Sequence, residues 1–279
     1  MNPPVKENKM IASENAKTQV LVSTSVWDKL KHLDADLEFL LQGQGAPVPE
    51  KLGRDVQIWP IRDLPPKKGL SLPEGQARLL HDLASIELQA MELAVRTLME
   101  FPEAPGEFRE QLSEIAREEG LHLRLCLEGL ESLGFPWGSF PTHLGLWQSV
   151  AGEDSLLDRV LIVHRYLEGA GLDASDTILR RLSGVRSPAL RGAIEVIRRD
   201  EVGHVEFGSR WYRRLLGESG GDPEVDFASR LSRLFARLPR RLEPIRRDLR
   251  ETVGFSSTEL DVLEEFRQRW LGEGARVHP

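Results

Sequence analysis

Two short stretches of the sequence set a carboxylate and an imidazole three residues apart inside a helical pattern. One is Arg117-Glu118-Glu119-Gly120-Leu121-His122, the other Arg199-Asp200-Glu201-Val202-Gly203-His204. A lone glutamate precedes each in a register that is otherwise apolar: Glu87 lies 32 residues before Glu119, and Glu168 lies 33 before Glu201. The two sets repeat at an offset of 81 residues for the lone glutamates and 82 for the histidines. Four carboxylates and two divalent cations cancel in charge, so Glu87, Glu119, His122, Glu168, Glu201 and His204 suit a buried site for two metal ions. In that arrangement Glu119 and Glu201 bridge, Glu87 and Glu168 are terminal, and each metal takes one histidine. Carboxylate and imidazole ligands suit iron or manganese, or a mixed pair. Cys126 is the one cysteine, which argues against an iron–sulfur cluster or a thiolate zinc site.

The neighbours at helical spacing decide which carboxylates turn inward. Glu87 shares its face with Leu80, Leu83, Ala84, Ala90, Met91 and Ala94. An unpaired carboxylate there is costly and must find a partner or a proton. Glu119 lies among Leu112, Ile115, Ala116, Leu123 and Cys126, whereas Glu118 lines up with Gln111 and Glu114 on a solvated face. On the last helix Asp200 and Glu201 both have apolar neighbours, and only the analogy with Glu119 and His122 selects Glu201. Glu168 has Leu161 and Leu172 beside it, but also His164 and Arg165. Each ligating histidine needs a carboxylate on its other nitrogen, for which Asp200, Asp173, Asp176 and Asp82 are candidates. His164, one turn before Glu168, is a candidate outer contact. His81 reads as a core or capping residue with a functional role as the alternative, and Tyr166 as core-facing or an oxidisable neighbour of the metal. His143 reads as packing with Trp147 in the loop between the hairpins, with a functional role as the alternative, and Cys126 as filling a small apolar gap. Gly169 and Gly171 either end their helix or kink it beside the site.

These residues must be carried by long helices. Pro73 suits a first helical turn, and helices are expected over 74–101 and 106–133, with Pro102 and Pro105 between them. A third is expected over 154–169, continuing past a break to 182. A fourth covers 188–216 behind a Ser187 cap and Pro188. Residues 134–152 form the crossing loop. The chain therefore divides into an N-terminal tail, helix and extended arm (1–72), a four-helix bundle (73–216) and a C-terminal helical extension (217–279). Residues 1–22 read as a loose tail, and a helix capped by Ser23–Ser25 runs to 42 on Val26, Leu30, Leu37, Leu40 and Leu41. The arm over 43–73 is expected to be held down by Ile58, Trp59 and Ile61. Helical patterns over 223–251, broken at Pro239, and 257–271 complete an all-α chain.

Composition narrows the class further. The chain has 279 residues, 40% of them hydrophobic, and a net charge of −7, so it can bury a core and is no general polyanion binder. No apolar run reaches the roughly 18–20 residues of a membrane span, and the polar N-terminus carries no signal-peptide core; a cytoplasmic, non-membrane protein is expected. Eight arginines between Arg230 and Arg250 face three acidic residues. They are expected to form a solvated face or ion-pair with the acidic bundle, with an RNA-contacting patch or an anionic substrate or lipid surface as the alternative.

The order Glu, Glu-x-x-His, Glu, Glu-x-x-His on successive helices resembles the ferritin-like di-iron carboxylate proteins. Residues 73–212 resemble a bacterial ferritin-like family of unassigned function. The likeness is carried by His81-Asp82-Leu83-Ala84-Ser85-Ile86-Glu87-Leu88, Phe140-Pro141-Thr142-His143-Leu144-Gly145-Leu146-Trp147, Leu167-Glu168-Gly169-Ala170-Gly171-Leu172-Asp173, and Arg199 to His204 with Gly208-Ser209-Arg210-Trp211. That family is similar to ferritin-like tRNA hydroxylases. The resemblance implies two iron ions, O₂ as co-substrate and an O₂-dependent oxidoreductase, a hydroxylase or monooxygenase. It also implies an external reductase as electron donor and a small-molecule or modified-nucleoside substrate, with tRNA as its carrier. A metal-dependent oxidase or peroxidase, or a non-catalytic iron-binding or storage protein, is the alternative.

Overall fold

A computed structural model describes residues 18–218, 220–240 and 243–274, the side chains of 273 and 274 excepted. Four long helical rods form the bundle: α3 (Pro73–Glu100), α4 (Gly106–Ser132), α5 (Leu156–Val160) continuing into α6 (Glu168–Arg181), and α7 (Pro188–Gly217). Before them come α1 (Gln19–Val22) and α2 (Val26–Leu41); after them come α8 (Pro223–Leu234), α9 (Arg247–Thr252) and α10 (Ser257–Gly274). The chain is an all-α bundle. Among the described residues the nearest approach to a sheet is one bridge between Ile58 and Thr142, where the arm meets the crossing loop.

Local chemistry explains the boundaries. Pro73, Pro188 and Pro223 each occupy a first turn, where the missing N–H costs nothing. Ser25 caps α2 by accepting from Asp28 N, and Ser155 with Asp158 forms a reciprocal capping box on α5. The expected Ser187 cap is absent: its backbone, at φ −143° and ψ 81°, departs from the extended conformation of the working caps, and its buried hydroxyl makes no hydrogen bond. Gly134, with φ +79°, ends the α3–α4 hairpin in the left-handed region.

The break expected in the third rod is a π-helical segment, Leu161–Leu167, in which Glu168 N reaches back to Val163 O. Gly169 and Gly171 do not end the helix, because α6 runs through both. Gly169 is a position of close approach, where a Cβ would run into the Arg250 guanidinium; a Cβ on Gly171 would make only ordinary contact, 4.0 Å from Glu201 Cδ.

The tail reading fails for its described part. Residues 1–17 lie outside the described residues, but Val20 and Leu21 are fully buried in α1. The arm is also anchored differently. Ile58, Trp59 and Ile61 are exposed, and buried Leu52 with the polar ties of Arg54 and Asp55 holds the arm instead. Asp55 accepts from Val26 N at 2.8 Å and from Trp137 Nε1 at 2.7 Å. Arg54 and Lys29 converge on Glu92 of α3, with Lys29 Nζ 3.0 Å from Oε1; both Lys29 and Glu92 are wholly buried.

The C-terminal helices are clipped on by arginines. Arg230 and Arg233 share Asp158, Arg237 pairs with Asp154, Arg246 with Asp176, and Arg250 with Asp173 at 2.7 Å. The expected ion-pairing with the acidic bundle is therefore seen for these five. Arg165, in the π segment, completes the joint: it binds Glu259 through two bonds of 2.6 and 2.7 Å inside a cage of Tyr212, Phe227 and Phe255 rings. Removing one partner of a buried ion pair strands the other charge. Glu92→Ala is expected to destabilise the fold by about 3–5 kcal/mol in urea unfolding, and Glu92→Gln by less.

Candidate metal centre

The six predicted residues meet in the centre of the bundle. Glu87 comes from α3, Glu119 and His122 from α4, Glu168 from the first turn of α6, and Glu201 and His204 from α7. All are buried, Glu168 being the most exposed at 8%. Their ligand atoms fall into two groups, Glu87–Glu119–His122–Glu201 and Glu119–Glu168–Glu201–His204, each with all atoms within 4.8 Å of one another. Glu119 and Glu201 belong to both groups. The α7 ambiguity is also settled as geometry: Glu201 faces the cluster, and Asp200 does not belong to either group.

Two facts test whether this set fits a metal. Glu87 Oε2, both oxygens of Glu119, Glu201 Oε2 and the Nδ1 atoms of His122 and His204 are buried without a hydrogen bond. Buried polar atoms are normally satisfied, and here six unsatisfied acceptor or ligand atoms converge. The histidines are also aimed. His122 Nδ1 lies 3.4 Å from Glu87 and 3.5 Å from Glu119, while its Nε2 meets Asp200 Oδ2 at 3.1 Å. His204 Nδ1 lies 3.0 Å from Glu119, while its Nε2 meets Glu118 Oε2 at 2.8 Å. A carboxylate on one ring nitrogen fixes the ring and frees the other for a metal.

The orienting carboxylates are exchanged between helices: Asp200 of α7 holds the α4 histidine, and Glu118 of α4 holds the α7 histidine. Glu118 is the residue sequence reasoning missed. Half its side chain is exposed, which matches its solvated neighbours, yet its carboxylate reaches His204. The repeat carried the signal, since Glu118 and Asp200 stand 82 residues apart, like the histidines. The other proposed orienters are engaged elsewhere: Asp173 with Arg250, Asp176 with Arg246 and Arg180, and Asp82 with Arg78 and Lys67.

The remaining candidates separate. His81 stacks on Trp137 at 4.4 Å between ring centroids and accepts from Gly138 N at 3.2 Å, so it pins the crossing loop. Burial pulls its imidazole down to about 4. Tyr166 faces the C-terminal extension, donating to Pro239 O at 2.8 Å; this corrects its reading as a neighbour of the metal. Tyr166 stands two residues before Glu168, which puts it on the opposite side of the rod. His164 stays close, buried edge-on against Phe207 at 4.8 Å, and burial followed by the charge of His204 lowers it to about 3. His143 Nδ1 accepts from Gly145 N within its own loop. Cys126 is fully buried, and burial pushes its thiol up.

Without a metal, protons carry the compensating charge. Burial raises Glu87 to about 8, and burial with the charge of Glu119 raises Glu168 to about 7. Burial, then Glu168 and Glu119, lifts Glu201 well above the carboxylate range. Burial depresses both histidines, but their carboxylate neighbours outweigh it and hold His122 at about 11 and His204 at about 10. Glu119 alone moves the other way, because His204 and His122 overcome its burial.

The fold and cluster define an all-α bundle protein with a buried carboxylate–histidine set that can hold a metal ion. The chain belongs to the family described as "Protein of unknown function (DUF455)", whose profile matches residues 9–261. It is 33% identical over 211 residues to an uncharacterized protein of Haemophilus influenzae, covering 73% of each chain. No solved structure matches it. Among the described residues, no helix is long and apolar enough to cross a membrane.

A group whose folded value is raised contributes its full stability below its unfolded value and loses it as pH climbs through the folded one. Glu87, Glu168, His122 and His204 share that sign, from 4.5 or 6.5 unfolded to about 8, 7, 11 and 10 folded. Glu119 has the opposite sign, and its contribution is lost only in acid. The metal-free protein is therefore expected to lose thermal stability as pH rises from about 5 to 9, and added Fe²⁺ or Mn²⁺ to raise Tm more at about pH 8.5 than at 6. In the same titrations, Glu118→Ala and Asp200→Ala are each expected to weaken metal affinity about 10–100-fold.

Proposed function

We propose that the cluster binds two iron ions and that the protein is an O₂-dependent oxidoreductase acting on an organic substrate. The observation that carries this reading is the double set of ligand atoms with Glu119 and Glu201 common to both. In this reading those two residues would hold both ions. Glu87 and His122 complete one iron site, and Glu168 and His204 the other. Iron is preferred to manganese on the resemblance to ferritin-like di-iron proteins, since the donor types accept either metal.

A di-iron pair, when bound, supplies the reduction of O₂ and the oxidising equivalents for hydroxylation. The chain's own part is positional. Asp200 and Glu118 hold the Nε2 sides of the two imidazoles, so that Nδ1 points inward in both. Burial of all six side chains keeps bulk water from the cluster and strengthens the electrostatic interactions within it. The four glutamates neutralise the charge of two divalent cations. Electrons come from an external reductase, because the sequence carries no flavin, nicotinamide or iron–sulfur motif. The substrate class is a small organic molecule, a modified nucleoside included; tRNA as its carrier rests on the resemblance alone.

The closure of the cluster, with His122 wholly buried and Glu119 1% exposed, favours a second reading. Only small molecules such as O₂ or peroxide reach such a site without rearrangement, which suits an oxidase or peroxidase that hydroxylates nothing. Metal analysis and oxygen uptake separate the readings. Protein produced with iron is expected to hold about two metal ions per chain, falling below one in Glu119→Ala. O₂ uptake by the reduced protein is expected to rise on adding an extract of small metabolites. Uptake indifferent to the extract supports the oxidase reading, and wild-type protein with less than about one metal per chain overturns both.

A further inference from the structure

The third rod carries two glycines beside Glu168, and only one of them has a steric reason. Gly169 stands about 100° around α6 from Glu168, on the side covered by Arg250. Gly171 stands about 60° from Glu168 on the other side, and it is half-buried. Its φ is that of a right-handed helix. Outside its own helix, a Cβ on Gly171 would meet one atom, Glu201 Cδ at 4.0 Å. Alanine would therefore fit, and would make the helix more stable, because glycine loses more chain freedom on folding. The fold gives up stability at Gly171 with no gain in packing.

The position of Gly171 against the cluster supplies a reason. The cluster is not sealed evenly. His122 is 0% exposed, Glu119 and His204 1% and Glu87 2%, against 4% for Glu201 and 8% for Glu168. Solvent thus comes nearest at the two carboxylates beside Gly171, and Glu201 Oε2 is buried without a hydrogen bond. Ala174 and Ile178, three and seven residues on, continue the same stripe of α6; both are half-buried and neither carries charge. Gly192 and Gly203 of α7 also have room for a side chain, but no atom lies within 4 Å of a Cβ there. They uncover solvent, whereas Gly171 uncovers a ligand carboxylate.

We propose that Gly171 is the entrance to the metal centre. Its missing side chain leaves an apolar opening beside Glu168 and Glu201, through which neutral small molecules reach the ions: O₂, and the apolar end of a substrate. The size of the residue at this one position sets what is admitted. The entrance presupposes the metal centre of the proposed function, and serves a hydroxylase and an oxidase alike.

The test is stopped-flow mixing of nitric oxide with the full chain loaded anaerobically with Fe²⁺, read by the absorbance of the nitrosyl complex. Nitric oxide is neutral and close to O₂ in size, and its binding reports access rather than turnover. Gly171→Leu is expected to slow binding at least about tenfold and Gly171→Ala about two- to threefold, with Gly203→Leu at the wild-type rate. Gly171→Ala is also expected to raise Tm by about 2 °C, which separates a narrowed entrance from a damaged fold. Metal analysis is expected to find about two iron ions per chain in every variant; should Gly171→Leu shed iron, Gly171→Val is the smaller plug with the same expectation. Nitric oxide binding as fast in the plugged variant as in wild type, with both ions retained, overturns the entrance and leaves the metal centre standing. Equal slowing in Gly203→Leu overturns it as well, since the effect then does not depend on position. Wild-type protein with less than about one iron per chain overturns the entrance together with the metal centre.

Discussion

The interior of this bundle holds more negative charge than any protein core tolerates unaided. Four glutamates converge where packing alone would place leucine, and the rest of the structure answers to that fact. Part of the charge is met by the two imidazoles, and part by protons or cations. Lysines and arginines are kept out of the cluster: the buried guanidinium groups of the third rod, Arg159 and Arg165, are turned to Glu100 and Glu259 instead. A guanidinium inside the cluster would satisfy the carboxylates permanently and leave nothing for an exchangeable cation.

Keeping that centre intact requires that four rods hold their rotational phase, and the peripheral elements serve this end. The N-terminal arm ties α2 to α3 through the Lys29–Glu92–Arg54 group. On the far side the C-terminal helices grip the third rod at Asp158, Arg165 and Asp173, above, within and below the π segment. The third rod is the one with an irregular backbone and two glycines, and it is the one most heavily braced. The glycines make the bracing physically feasible, since a side chain at Gly169 would displace Arg250.

Much of this was legible in the sequence because it rests on short-range rules. Apolar period, proline at first turns and glycine past the ends gave the four rods nearly to the residue. A polar residue interrupting an apolar stripe gave Glu87 and Glu119. What stayed hidden depends on partners far away in the chain. Gly169 is explained by a residue 81 positions later, and Tyr166 by a carbonyl 73 positions later. Val20 and Leu21 looked like a tail because their burial is supplied by other segments. Glu118 was assigned to solvent because each helix was judged by its own face, whereas this carboxylate spans the gap to the neighbouring helix.

The exchange of orienting carboxylates has a consequence for how the molecule is assembled. Neither helical hairpin, alone, carries a histidine that is correctly aimed: each imidazole is turned by an acid supplied from the other half. A half-formed chain thus presents loose, wrongly directed side chains rather than half of a finished centre. Docking of the two halves and completion of the cluster become one event, so the geometry at the centre serves as an internal proof that the halves have met in register.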